Sequence, residues 1–205
     1  MEKRMIDLEE YPRREHFLYF KEMAYPYVGV TVTVDITDFM KQIRQKEQPF
    51  FLSFLYRVME AGNSIPQFRQ RIEGNGIAEY SYSKASCVIM KPDDTYAYCT
   101  LDGRQPLESF LKEGRRKIEA VKQDGSIEED SEVESMFFIS CLPWLSYSSF
   151  LQAVPAPADS NVRISWGKYT EENGKITLPV SVLGHHALID GLHLGRFYEK
   201  LEELL

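Results

Sequence analysis

Residues 27–37, YVGVTVTVDIT, alternate between the two faces of an extended chain with a period of two. This period predicts a β-strand with one face buried against a core and the other face more polar. A half-buried strand is stable only within a sheet whose apolar face is covered by another layer. The rest of the chain must therefore supply both the sheet and the covering layer.

Short strand-like segments recur later in the chain, separated by turn residues. FRQRI, IAEYSYS, ASCVIMK and TYAYCTL follow one another between residues 68 and 101 and predict an antiparallel meander. MFFISCLPW, VRISWGKY and ITLPVSVLG predict three late strands, and the last two are joined as a hairpin across TEENGK.

Four segments have helical patterns that would supply the covering layer. Thr37 is a plausible N-cap for DITDFMKQIRQ, and residues 49–62 begin with proline, stay apolar and end at Gly62. Residues 106–125 predict a solvent-facing amphipathic helix, and the acidic DGSIEEDSEVES after it predicts a loop. A last helix, 192–205, would place four apolar side chains on one face: Leu194, Phe197, Tyr198 and Leu201. Together the segments predict an α+β fold, a two-layer sandwich of a mostly antiparallel sheet packed by helices.

Composition limits the class of protein. The 205 residues are 43% hydrophobic, enough for one sizeable core, and no linker or repeat divides them, so we expect a single domain over residues 1–205. No apolar run approaches the ~18 residues of a membrane span, and the N-terminus is too charged for a signal peptide, which favours the cytoplasm. The net charge of −7 argues against nucleic acid as a partner. Cys87, Cys99 and Cys141 fit neither a disulfide framework nor a zinc motif and are predicted to be buried thiols.

VLGHHALIDGLHLGRF, residues 182–197, concentrates ionisable side chains where the last strand meets the last helix. It holds three of the four histidines, His185, His186 and His193, together with Asp190. Asp190 is placed to be the helix N-cap, and the adjacent His185 and His186 should point to opposite faces. His193 could be a surface or packing residue. Two functional interpretations remain open: a metal site formed by His186, Asp190 and His193, or a general base.

His186-Ala-Leu-Ile-Asp190-Gly191 spells H-x-x-x-D-G, which resembles the signature of the chloramphenicol acetyltransferase family and of the related acyltransferase cores of 2-oxo acid dehydrogenase complexes. Three further blocks are similar to that antibiotic-modifying family in the same order: YPRREHFLYF, FFISCLPWLSYSSF and WGKYTEENGKITLPVSV. The resemblance spans nearly the entire chain. It implies a CoA-dependent acyltransferase fold, acetyl-CoA as co-substrate and no metal.

The resemblance implies the catalytic residues. His186 would be the general base that takes a proton from the acceptor hydroxyl, with no acyl-enzyme, and Ser140 would donate to the oxyanion of the tetrahedral intermediate. Asp190 would pair with Arg13 and fix the turn that carries His186. The same resemblance implies contacts to coenzyme A from Trp144, Ser165, Lys168 and Tyr169.

The acceptor site implied by the resemblance contains Phe20, Tyr98, Phe150 and Gln152. Phe20 replaces a tyrosine, Tyr98 stands where the family tends to have a small residue, and Gln152 replaces an apolar residue. These departures alter the volume and polarity of the acceptor site, and Phe51 likewise replaces a tyrosine in the cofactor region. The resemblance also implies a homotrimer with active sites between subunits.

Three hypotheses follow. The first is an acetyl-CoA-dependent O-acetyltransferase that modifies the 3-hydroxyl of chloramphenicol and so confers antibiotic resistance. The second is an acyltransferase of the same fold acting on another alcohol or an amine. The third is a metal- or CoA-binding module without turnover. Neither nucleic acid nor a membrane is expected as a partner.

Overall fold

The computed structural model describes residues 1–205. Its elements, in chain order, are β1 Lys3–Ile6, α1 Arg14–Phe20, β2 Tyr27–Asp35, α2 Thr37–Gln45, α3 Phe50–Ser64, β3 Gln70–Glu73, β4 Gly76–Tyr80, β5 Ala85–Met90, β6 Tyr96–Leu101, α4 Leu107–Asp124, β7 Phe137–Cys141, β8 Arg163–Trp166, β9 Thr170–Glu172, β10 Lys175–His185 and α5 Gly191–Leu204. Short 3₁₀ turns cover Pro66–Arg69 and Val133–Ser135.

The main sheet has seven strands in the order β2-β10-β8-β7-β5-β6, and β9 pairs with the first residues of β10. Its pairs are antiparallel except β5 with β7 and β7 with β8, which are parallel. The predicted α+β sandwich with a mostly antiparallel sheet is confirmed. The predicted hairpin is also present, since β9 and β10 meet at a turn where Asn173 and Gly174 have positive φ.

The predicted meander is wrong in its pairing. β3 and β4 leave the main sheet and form a separate three-stranded sheet with β1, in the order β1-β4-β3. Only β5 and β6 join the main sheet, where β5 pairs on its other side with β7. Alternation of side chains identifies a strand but not its partner, and the short β1, which completes the small sheet, was not predicted.

The core lies between one face of the main sheet and the helices. Trp166 of β8 is fully buried, and its ring lies 5.1 Å from that of Phe54 in the apolar helix α3. The final helix packs Phe197 against Phe68, with ring centroids 5.5 Å apart. All four side chains predicted for its apolar face are buried, as expected.

Two helices differ from the prediction made from the sequence. Ile36, not Thr37, occupies the N-cap position of α2, and Thr37 instead donates its hydroxyl to Asp35 while accepting from the Ile176 amide. α1 was not predicted as a helix, because its charged sequence REHFLYF has only Phe17 fully buried.

The cysteines are free thiols, with Cys87 and Cys99 buried and Cys141 half-buried. Burial raises the pKa of all three, to about 11 for Cys99 and about 12 for Cys141. No helix combines the length and apolar character that a membrane span requires.

Candidate active site

The turn after β10 holds His186 in a fixed backbone position. The His186 amide donates to the Pro26 carbonyl at 2.7 Å, while the amides of Leu188 and Ile189 both donate to the His185 carbonyl. His186 Nδ1 lies 2.8 Å from the Ile189 carbonyl oxygen. Because a carbonyl only accepts, Nδ1 carries the hydrogen in the neutral ring, and Nε2 keeps its lone pair. The turn therefore presents an imidazole whose free nitrogen can accept a proton.

Phe20, the last residue of α1, stacks on the His186 ring. The two ring centroids are 3.9 Å apart with an angle of 29° between the planes. Together with the Nδ1 hydrogen bond, this stacking restricts rotation of the half-buried imidazole about its side-chain torsions.

His185 has a different environment, as expected for the neighbouring strand residue. Its side chain is 3% exposed, its Nδ1 accepts from the Ala187 amide at 3.2 Å, and its ring lies against Tyr27. Burial lowers the pKa of His185 to about 4, so the ring is neutral at physiological pH. His185 acts as a hydrogen-bonded core residue of the turn.

Asp190 is the N-cap of α5, as predicted from the sequence. Its carboxylate accepts from the Leu192 amide at 3.0 Å and from Arg13 Nη1. Burial alone would raise the pKa of this carboxyl, but the Arg13 guanidinium outweighs it and holds the pKa below its ordinary value. The ion pair joins the segment before α1 to the first turn of α5.

His193 completes this helix start from inside the core. It is buried, and its Nδ1 accepts from the Asp190 backbone amide at 3.1 Å, the reciprocal half of a capping box. Burial lowers the pKa of His193, which favours the neutral ring. His186, Asp190 and His193 thus make local contacts and do not converge, and no group of three or more His, Cys, Asp or Glu is arranged to hold a metal ion.

A cavity of about 740 Å³ opens on the sheet face opposite the helices. Ser140, Tyr98, Phe150 and Gln152 line it, so four predicted site residues lie together. The Gln152 side-chain nitrogen is buried and lacks a hydrogen-bond partner. Phe20 and His186 do not line this cavity.

Strand register separates Ser140 from His186 within one chain. Ser140 lies opposite Ser165, which lies opposite Ser181 on β10. With strands ~4.8 Å apart and ~3.3 Å per residue, Ser140 is ~10 Å from Ser181 across the sheet, and His186 is ~17 Å from Ser181 along β10. The two groups are then ~19 Å apart, too far to contact one reacting carbonyl in a single chain.

The four residues assigned to coenzyme A lie in two neighbouring segments. Trp144 is 64% exposed in the loop after β7, and the Lys168 amide donates to the Leu145 carbonyl at 2.7 Å, joining that loop to the end of β8. Tyr169 packs on Phe50 with ring centroids 5.7 Å apart. Ser165 is fully buried, and its hydroxyl has no hydrogen-bond partner.

Several polar residues that line the cavity were not predicted from the sequence. Arg163 and Asp159 form a bidentate ion pair with both N–O distances at 2.7 Å, and Tyr27 donates to the same carboxylate. Tyr96 and Glu129 also line the cavity. One signal was available: alternation along VRISW and TYAYC places Arg163 beside Ser165, and Tyr96 beside Tyr98, on one face of each strand.

Comparison with known proteins gives consistent results over the whole chain. The family model described as "CAT: Chloramphenicol acetyltransferase" matches residues 1–202. A chloramphenicol acetyltransferase from Klebsiella sp is 26% identical over 200 residues, covering 97% of this chain and 91% of that protein. A solved structure of a chloramphenicol acetyltransferase superposes with a TM-score of 0.91 at 27% identity and full coverage of both chains. The dihydrolipoamide acetyltransferase of Azotobacter vinelandii shares the fold, with a TM-score of 0.67 at 18% identity, covering 93% of this chain and 85% of that one.

Proposed function

Because this acyltransferase belongs to the chloramphenicol acetyltransferase family, we propose that it transfers the acetyl group of acetyl-CoA to the 3-hydroxyl of chloramphenicol. The observation that carries the proposal is the orientation of His186, whose Nδ1 is bound to the Ile189 carbonyl and whose Nε2 is left basic. An alcohol is too weakly acidic to ionise near neutral pH, so acetyl transfer needs a base of this kind.

In the proposed reaction the oxygen of the acceptor hydroxyl attacks the thioester carbonyl. His186 Nε2 takes the hydroxyl proton at the same time. The new C–O bond forms while the carbonyl π electrons move to oxygen, giving a tetrahedral intermediate with a negative oxygen. The Ser140 hydroxyl donates to that oxygen. Collapse of the intermediate breaks the C–S bond, and the imidazolium returns its proton to the departing thiolate of coenzyme A. No acyl-enzyme forms.

Arg13 and Asp190 act as positioning residues in this scheme. Their ion pair and the N-cap bond to Leu192 fix the start of α5, one residue after the Ile189 carbonyl that orients His186. They take no part in proton transfer.

The proposal requires an assembly, because Ser140 and His186 of one chain are ~19 Å apart by strand register. We propose a homotrimer in which His186 of one subunit faces the cavity of the next. In this arrangement the acceptor cavity of one subunit, lined by Ser140, Tyr98, Phe150 and Gln152, faces His186 of the neighbouring subunit. Phe20 stacks on that His186 and therefore lies at the same site.

For acetyl-CoA, we assign contacts to Trp144, Ser165, Lys168 and Tyr169. An exposed indole can pack on the pantetheine chain and a lysine can bind a phosphate, while the buried Ser165 hydroxyl has no hydrogen-bond partner within the chain. Coenzyme A thioesters are intracellular metabolites, so the proposal also places the enzyme in the cytoplasm.

Thiol release from acetyl-CoA, measured with and without acceptor, tests the proposal. Acceptor-dependent release with chloramphenicol and formation of its 3-O-acetyl ester are expected, with weaker binding than an efficient resistance enzyme shows, because the Tyr98 ring occupies part of the cavity. Release only with another alcohol or an amine would favour the second hypothesis. Binding of coenzyme A without turnover on any hydroxyl compound would favour a non-catalytic module.

A further inference from the structure

Resting on the proposed function, we propose that Tyr27 is a positioning residue for His186, the proposed general base. Tyr27 is the first residue of β2 and connects the ion pair Asp159–Arg163 to the ring of His185, the residue before the base. The effect is indirect, because Tyr27 fixes the residues on either side of His186.

The Tyr27 hydroxyl is anchored to a rigid ion pair. It donates to Asp159 Oδ1 at 3.0 Å. Arg163 of β8, only 5% exposed, binds both oxygens of the same carboxylate with N–O distances of 2.7 Å. Burial, with the Asp159 charge, raises the pKa of Tyr27, so the phenol keeps its proton and remains a donor. The Tyr27 side chain therefore joins β2 to β8, across the strand β10 that lies between them.

The Tyr27 ring supports the turn that carries the base. Tyr27 and His185 are the last residue pair of the β2–β10 ladder, and their ring centroids lie 5.8 Å apart in an edge-to-face arrangement. His185 Nδ1 in turn accepts from the Ala187 amide at 3.2 Å. Since His185 and Ala187 flank His186 in the sequence, the position of the Tyr27 ring determines the backbone position on both sides of the base.

The segment just before Tyr27 holds His186 itself. The Pro26 carbonyl accepts from the His186 amide at 2.7 Å, and Phe20 stacks on the His186 ring. The end pairs of a strand ladder open more readily than the central pairs. Because Tyr27 forms such an end pair, its bond to Asp159 keeps the Pro26 carbonyl within reach of His186. A displacement of about 1 Å at a catalytic group can cost up to ~10²-fold in rate.

Tyr27→Phe tests the role, because it removes the hydroxyl and keeps the ring. We expect kcat for acetyl transfer to fall about tenfold, while KM for chloramphenicol and for acetyl-CoA stays within about twofold of the wild type. Nitrogen-15 NMR of the histidine rings measures the position of the base without turnover. The wild type should show His186 protonated at Nδ1, and the variant should show a mixture of the two neutral tautomers.

Tyr80→Phe is the matched control. The Tyr80 hydroxyl donates to Glu73 at 2.9 Å in the small sheet β1-β4-β3, so the same kind of tyrosine–carboxylate bond is removed there. This control should lower the thermal midpoint about as much as Tyr27→Phe does. It should change neither kcat nor the His186 ring signals.

If chloramphenicol is acetylated, both changes are required in Tyr27→Phe, and either one alone overturns the inference. A fall in kcat with unchanged His186 signals would mean that Tyr27 acts on the substrate instead. Equal losses of kcat in Tyr27→Phe and Tyr80→Phe would likewise overturn it, since they would reflect stability alone. If the wild type does not acetylate chloramphenicol, the proposed acceptor is contradicted, and the histidine spectra by themselves still decide whether Tyr27 positions His186.

Discussion

His186 can act as a base only if one ring nitrogen keeps its lone pair, and the Ile189 carbonyl determines which nitrogen that is. Replacing His186 by Ala should therefore lower kcat at least ~10²-fold while the affinity for coenzyme A changes little. Steady-state kinetics and equilibrium binding of coenzyme A are the measurements. His185→Ala is the comparison, because His185 lies in the core of the turn. Equal losses of kcat in folded protein at both positions would contradict the assignment.

His185 makes stability depend on pH. Burial lowers its pKa from 6.5 to about 4, so the folded chain excludes a proton that the unfolded chain binds. Its contribution is complete above about pH 6.5 and is lost as the pH falls toward 4. Urea unfolding should show a loss on the order of 1–2 kcal/mol between pH 7 and pH 5, shared in part with His193. His185→Gln should flatten this dependence, and an unchanged slope in that variant would show that other groups cause it.

At the scale of elements, the Arg13–Asp190 pair joins the N-terminal segment to α5. Breaking a partly buried pair from either side leaves one charge uncompensated, so Arg13→Met and Asp190→Asn should each destabilise by about 2–4 kcal/mol. The two losses should overlap in the double variant. Asparagine keeps the N-cap, so Asp190→Ala should cost about 1 kcal/mol more than Asp190→Asn. Denaturant unfolding of all four variants is the measurement, and additive losses would show that the contact contributes nothing.

The turn that carries His186 is packed too tightly for a side chain at Gly184. A Cβ there would collide with the Cδ1 atom of Ile189, whose carbonyl orients the His186 ring. Gly184→Ala should destabilise by about 1–3 kcal/mol and also lower kcat. Ile189→Val removes the colliding methyl group and should restore part of both losses. Gly195→Ala in α5 meets nothing within 4 Å and should leave both thermal stability and kcat at least as high as in the wild type.

Periodicity predicted the elements that bury one continuous face. α4, α5 and β10 were found close to their observed bounds because their apolar side chains repeat regularly. Strand partners were not predictable, since the pairing of β1 with β4 and of β5 with β7 depends on contacts between distant segments. At the site, the helix cap by Asp190 followed from a local rule. The cavity pair Asp159–Arg163 did not, because its carboxylate lies in the irregular segment before β8.

At the scale of the whole molecule, a shared site can be tested by complementation. His186→Ala and Ser140→Ala chains would each be inactive or nearly so as homotrimers. Mixed trimers should regain activity, because an intact His186 of one chain then meets an intact Ser140 of its neighbour. Random mixing should restore about a quarter of the sites. Light scattering must first show the trimer, and mixtures that stay as inactive as the parents would place both groups within one subunit.

β10 lies between β2 and β8, and only β10 connects β2 to the rest of the sheet. During translation β2 leaves the ribosome long before residues 175–185, which form its partner strand β10. The apolar face of β2 therefore stays exposed while most of the protein is synthesised. The turn that carries His186 is synthesised later still, and its His186 amide then binds the Pro26 carbonyl near the N-terminus. The main sheet can therefore be completed only after nearly the whole chain has been synthesised. Until then, the exposed apolar face of β2 is a binding site for chaperones.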